Sequence, residues 1–173
     1  MVAHLSDVRD LEVPTIVDRT PTYLGRYEAA YRLAATRTGL HVVMACGTYR
    51  EAWLTEEIVG FDEAALADGY CQGLDAAGFV KLGCDPDGPG DGETRCVRAA
   101  GRASRVTGAL VACHVGHAGP AWRTVDAFEA GGGDPARFVV VHLQNESDFP
   151  RPPRPCPPRC VARIRRDRGR PTV

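Results

Sequence analysis

The chain has 173 residues, 44% of them hydrophobic and 25% charged, with a net charge of −1; length and balance predict one soluble globular domain with room for a real core. No stretch approaches the roughly 18 apolar residues of a membrane span, and the opening MVAHLSDVRD lacks an apolar leader segment, so a cytoplasmic location is expected.

In chain order, short β-branched runs alternate with helix-like stretches. TIVD (15–18) reads as a strand, and Leu24–Thr38 as a helix with Tyr27, Ala30, Tyr31 and Ala34 on one face. HVVMAC (41–46) is the next strand, Glu63–Ala77 the next helix, and GFVKLG (78–83) the third strand. The helix Glu93–Val106, the strand ALVACHV (109–115), the helix Ala121–Ala130 opened by Pro120, and the strand RFVVVHL (137–143) complete the series. Continuous apolar runs, rather than strict alternation, predict strands covered on both faces. Glycines at 39, 78, 108 and 131–133 fall where helices give way to strands and suit left-handed helix caps.

The serial strand–helix pattern predicts a parallel sheet with helices outside. A doubly wound nucleotide-binding sheet would want a glycine-rich loop after its first strand, but no loop reads GxGxxG, and GGGDP precedes a strand. The alternative is a (β/α)8 barrel, which typically needs roughly 250 residues. This chain has room for about five of the eight units, so the expected fold is α/β, a partial TIM barrel over residues 1–148. Residues 149–173 form a proline-dense tail with eight arginines and one aspartate, expected to be disordered or polyproline-II-like. With no aromatic platform, that tail predicts at most non-specific, salt-sensitive nucleic-acid binding. The seven cysteines are scattered and odd in number, which fits reduced thiols. Cys156 and Cys160 in CPPRC are a weak zinc half-site.

Lys81 is the only lysine beside twenty arginines, and it falls inside an apolar strand. With His114 and His142 it forms a set of three polar groups near the C-terminal ends of successive strands. In a barrel those ends share one active-site face, so the three would converge. Neutral imidazoles are common metal ligands. A lysine in a dry strand has its ammonium disfavoured, and the free amine can take up carbon dioxide to become an anionic carbamate, a route closed to arginine. The competing reading has Lys81 snorkelling from the strand end to pair with Asp85 or Asp87. Asp18 reads as a backbone cap, His117 as a loop residue, and His4 and His41 as surface and strand-start residues.

PTIVDRT, TGLHVVMACGTYREAWLTEEI, AGFVKLGCD, RAAGRASRVTGALVACHVGHAG and GGDPARFVVVHLQNESD together resemble the phosphotriesterase family of the amidohydrolase superfamily. The resemblance covers most of residues 1–148 and implies a TIM-barrel hydrolase with a binuclear centre, commonly zinc, bridged by a carboxylated lysine. It carries over to Lys81 as the bridge and to His114 and His142 as imidazole ligands. It implies hydrolysis of an organophosphate ester or a lactone by metal-bound hydroxide. Tyr49, in ACGTYRE, aligns with a tyrosine that lactone-hydrolysing members place beside the metals; it either orients a carbonyl oxygen or simply covers the barrel mouth.

The family's first strand carries an HxH pair, and its eighth strand an aspartate that binds metal. No HxH occurs in this chain, and the likeness stops at Asp148, so half of the ligand set is expected. The change of composition after Asp148 reads as a truncated or out-of-frame product. Two functions are therefore expected in competition. One is a small-molecule ester or lactone hydrolase; the other is an inactive or partner-completed fragment that oligomerises through open sheet edges.

Overall fold

The apolar runs become short parallel strands separated by helices, in a computed structural model that describes residues 2–115 and 118–142. Helix α1 (Val2–Asp10) leads to β1 (Thr15–Val17), α2 (Glu28–Thr38), β2 (His41–Val43) and β3 (Ala45–Cys46). Helices α3 (Glu56–Gly60) and α4 (Glu63–Gly73) precede β4 (Phe79–Gly83). Then come α5 (Asp91–Thr107), β5 (Val111–His114), α6 (Ala118–Ala130) and β6 (Phe138–Val141). Every strand pair is parallel, with β1 beside β2 and a four-stranded sheet in the order β3-β4-β5-β6. Helical crossovers between parallel neighbours make the winding of a barrel segment.

Several expected boundaries move. HVVMAC is not one strand: the chain changes neighbours at Met44. The Asp18 amide donates to the Val43 carbonyl at 2.8 Å on one side, and the Gly78 amide to the Met44 carbonyl at 2.9 Å on the other. Helix α2 starts at Glu28, and Tyr27, expected within the helix on one face with Ala30, Tyr31 and Ala34, precedes it and is exposed. Gly25, at φ 90°, holds a turn where the helix was predicted to have begun. Helix α4 ends at Gly73 rather than Ala77. Gly39 and Gly108 cap α2 and α5 at φ 70° and 74°, as predicted. Gly78 does not cap a helix; a Cβ there would lie 2.5 Å from Val43 Cγ1, so close packing requires the glycine.

The two faces of the four-stranded sheet differ. Val80, Leu82, Val111, Cys113 and Phe138 pack against α4, α5 and α6 in the main core. The opposite face carries a small cluster of Ala45, Phe79 and Ala112, flanked by Val43, Val139 and Val141. Strand periodicity puts Lys81 on that second face with Phe79, and His114 with Ala112. The helices thus seal one side, while the side facing the barrel axis carries the polar groups.

Helix α5 brings its neighbours close through small residues. Ala99, Ala100, Gly101 and Ala103 are all buried, and a Cβ on Gly101 would meet the Phe128 carbonyl oxygen at 2.3 Å. The five described cysteines are free thiols. Among the described residues, no helix is long and apolar enough to cross a membrane. His117, Cys156, Cys160 and the predicted tail 149–173 lie outside the described residues.

Because the Phe128 oxygen belongs to backbone, Gly101→Ala must push α6 away from α5. It is expected to destabilise the fold by about 1–3 kcal/mol, read as a lower urea midpoint at unchanged slope. An unchanged midpoint would mean that the two helices do not approach so closely.

Candidate functional site

Lys81 occupies the middle of β4 and is 4% exposed. Burial brings its amine down to about 8, with the Arg19 guanidinium adding in the same direction and the Cys113 and Cys84 thiols opposing. Its Nζ donates to the Leu82 carbonyl and stands 5.2 Å from the centroid of the Tyr49 ring. Neither acidic partner weighed for it is engaged. Asp85 receives Arg50 Nε at 2.6 Å, and no ion pair to Lys81 occurs among the described residues. The snorkelling salt bridge is therefore absent: Lys81 is buried instead of reaching outward, and the Asp85 carboxylate is paired with Arg50.

His114 ends β5. Burial, followed by the charges of Lys81, His142, Arg50 and Arg19, lowers its pKa to about 4, so the ring is neutral at pH 7. Strand register places His114 opposite Gly83 and Val141, and Lys81 opposite Ala112. The two are not level, since Lys81 sits two residues deeper, about 7 Å along the strand direction. A long lysine side chain can span that offset.

His142 follows β6, which stops at Val141. Val141 faces the small inner cluster, so extended backbone would send the next side chain to the helix-covered face. Instead His142 turns left-handed, at φ 72°, and its ring lies edge-on to His114 with centroids 4.7 Å apart. A non-glycine residue in this region is uncommon, though histidine is among the side chains that adopt it most readily.

Tyr49 closes the group. Its ring lies 5.6 Å from that of His114 and packs onto Gly83, where a Cβ would come within 2.5 Å. Its backbone amide donates to the Tyr23 hydroxyl at 2.5 Å. The loop that carries it is anchored by Glu93, which is 1% exposed and accepts from the amides of Glu51 at 2.8 Å, Asp85 at 3.0 Å and Gly90 at 3.0 Å. Loops after β3 and β4 are thereby fastened to the start of α5, a role that no motif in the sequence announces.

Tyr49, Lys81, His114 and His142 share one cavity of about 620 Å³ with Asp18 and Arg19. Asp18 does cap backbone as expected, accepting from the Thr20 amide at 2.6 Å, and its other oxygen accepts from the Tyr31 hydroxyl at 2.7 Å. Burial works against its charge, but the Tyr31 and Thr20 hydrogen bonds and Arg26 outweigh it and hold the carboxyl below its usual range. Arg19 was not singled out in the sequence because its neighbours give no periodic signal. His4 and His41 are exposed and not part of the cavity lining, and His41 begins β2 as expected.

Among the described residues, no three His, Cys, Asp or Glu side chains are gathered to hold a metal ion. The donors that do converge are two imidazoles and one amine. That set suits a cation only with Lys81 uncharged or anionic, and its burial favours loss of the ammonium.

Residues 1–151 match the phosphotriesterase family. Phosphotriesterase homology proteins from two Mycobacterium tuberculosis strains, CDC 1551 / Oshkosh and ATCC 25618 / H37Rv, are each 31% identical over 169 residues, covering 85% of this chain and 50% of theirs. The chain thus spans about half the length of the curated relatives it matches. A phosphotriesterase homology protein from Escherichia coli, crystallised with phosphate in its active site, superposes with a TM-score of 0.75 at 23% identity, over 80% of this chain and 51% of that one. That likeness is one of fold, and the fold is part of a TIM barrel.

The buried amine has a measurable signature in metal-free protein. Its pKa lies below the unfolded value, so from pH 8 to 10.5 the unfolded state holds the extra proton and stability rises with pH. Below pH 8 the buried ammonium is a full burden. Lys81→Met is therefore expected to stabilise the protein at pH 7 by about 3 kcal/mol and to flatten the rise above pH 8. A loss of stability at pH 7 would show that the amine is favourably paired.

Proposed function

The chain belongs to the phosphotriesterase family, and on that premise we propose that Lys81, His114 and His142 form half of a divalent-metal centre, with zinc the foremost candidate, for hydrolysis of an organophosphate ester or a lactone. The observation that supports this most directly is the convergence of a buried, unpaired lysine and two imidazoles on one cavity.

Lys81 enters the chemistry by losing its proton. The free Nζ attacks carbon dioxide, an N–C bond forms and one proton leaves to solvent, so that a cationic side chain becomes an anionic one with two oxygen donors. A pKa brought to about 8 puts a useful fraction of the amine in the reactive form near neutrality. His114 and His142 present nitrogen lone pairs, and His114 stays neutral down to about pH 4. A divalent ion held by this set supplies a Lewis acid for the phosphoryl or carbonyl oxygen and a means of activating water. Tyr49 borders the same space, where its hydroxyl can donate to the oxygen under attack; the ring also walls Lys81 from solvent.

A second reading rests on chain length and edges. The chain spans half the length of its curated relatives, and among the described residues β1 and β6 each pair on one side only. Under this reading the polypeptide is inert alone, or is completed by another chain that pairs with those edges.

Reconstitution with zinc and bicarbonate, followed by metal analysis, tests the first reading. Wild-type protein is expected to retain about one zinc per chain through three protein donors, and to hydrolyse a chromogenic ester. Lys81→Arg, which cannot form the carbamate, should lose both. Retention of metal and of full hydrolysis by this variant removes Lys81 from the reaction. Light scattering tests the second reading, under which activity is confined to a dimer or larger species. A monomer that hydrolyses ester at full rate rules it out.

A further inference from the structure

Arg19 follows Asp18 at the end of β1 and lines the cavity beside Lys81 and His114. Other arginines near the site are already engaged. Arg50 is paired with Asp85, Arg26 donates to the Ala45 carbonyl, and Arg123 donates to the Asp87 carbonyl. Arg19 has no ion pair among the described residues. Asp18, the one carboxylate among the described residues of the cavity lining, makes no ion pair with it; the Asp18 oxygens accept instead from the Thr20 amide and the Tyr31 hydroxyl. The Arg19 charge is nonetheless felt inside the cavity, where it lowers the pKa of both Lys81 and His114.

A guanidinium offers a planar fork of donors that matches an oxyanion in two parallel hydrogen bonds. Set at the exposed rim of a cavity whose deeper groups are a lysine and two histidines, it offers that fork to a ligand entering the cavity. From this geometry we infer that Arg19 is a subsite for an anionic substituent of the ligand, a carboxylate or a phosphate group carried apart from the bond that is cleaved. The inference deepens the hydrolase reading and rests on it for the word substrate. Binding of the anion itself does not depend on that reading. The subsite makes esters and lactones that bear an acidic arm better substrates than neutral ones of the same size.

The test compares wild type with Arg19→Gln, which keeps hydrogen-bonding capacity but no charge, and with Arg19→Lys, which keeps charge but no fork. Calorimetry with inorganic phosphate and, separately, with acetate reads the subsite without any turnover. Wild type is expected to bind at least one of the two, and Arg19→Gln to bind it about tenfold or more weakly, with Arg19→Lys between them. Loss confined to phosphate assigns a phosphoryl arm, and loss confined to acetate a carboxylate arm. Equal binding by wild type and Arg19→Gln, or no binding of either anion, overturns the subsite. With the zinc-loaded enzyme, kcat/KM for a carboxylated ester should fall more than that for its neutral methyl ester, shifting their ratio by about tenfold. An equal fall for both would mean that Arg19 acts on Lys81 rather than on the ligand, and would likewise overturn the proposal. If wild type hydrolyses no ester at all, the hydrolase reading fails while the calorimetric comparison still decides the subsite.

Discussion

Lys81 stands in a strand whose far side is filled by three helices, 4% exposed and without a carboxylate in ion-pairing range among the described residues, and the remaining site is arranged around that amine. An uncompensated ammonium in such a place opposes folding. The surroundings compound the problem. Arg19 and Arg50 both bear on His114, Arg19 on Lys81 as well, and the nearest acidic side chain along the strand loop is bound to Arg50. Glycine lets the chain close over the amine. Gly47, at φ 124°, approaches the Lys81 carbonyl so tightly that a Cβ would lie 2.1 Å from its oxygen, and Gly83 leaves the space that Tyr49 fills. A backbone drawn this close leaves the lysine little room to swing outward and hydrate.

Glu93 supplies the contrast. It is as deeply buried, yet its carboxylate accepts three backbone amides, and its own amide donates to Glu51 Oε2 at 3.0 Å. A buried charge satisfied on every side is a structural fastener. A buried cation left without an acidic partner breaks the local rules of folding, and positions that do so concentrate at functional sites. The two residues separate the scaffold from the proposed chemistry: Glu93 holds the loops after β3 and β4 to α5, and Lys81 lines the cavity beside those loops. His142 belongs with Lys81 in this respect, since its left-handed backbone is an expense that the strand alone would not incur.

Much of this could be read along the chain. The alternation of β-branched runs with helical stretches, and the glycines at 39 and 108, specify a parallel series because local conformational preference and apolar spacing are properties of neighbouring residues. A single lysine among twenty arginines in an apolar run marks Lys81 without coordinates, since a cation is least welcome in such a run. What the chain order could not reveal was any pairing between distant charges. That Arg50 takes Asp85, that Tyr31 and Thr20 occupy Asp18, and that Arg19 is left facing the cavity follow from which strand lies beside which, and charges far apart in sequence have no periodicity to betray them. The same holds for the depth of Lys81 below His114, set by strand register, and for His142, which reaches the cavity through a backbone turn and not through its place in the alternation. Residue types and their order therefore determined the fold and three candidate donors. Only the tertiary structure decided which charges neutralise one another and which are left without an ion pair, because electrostatic pairing depends on distance through space.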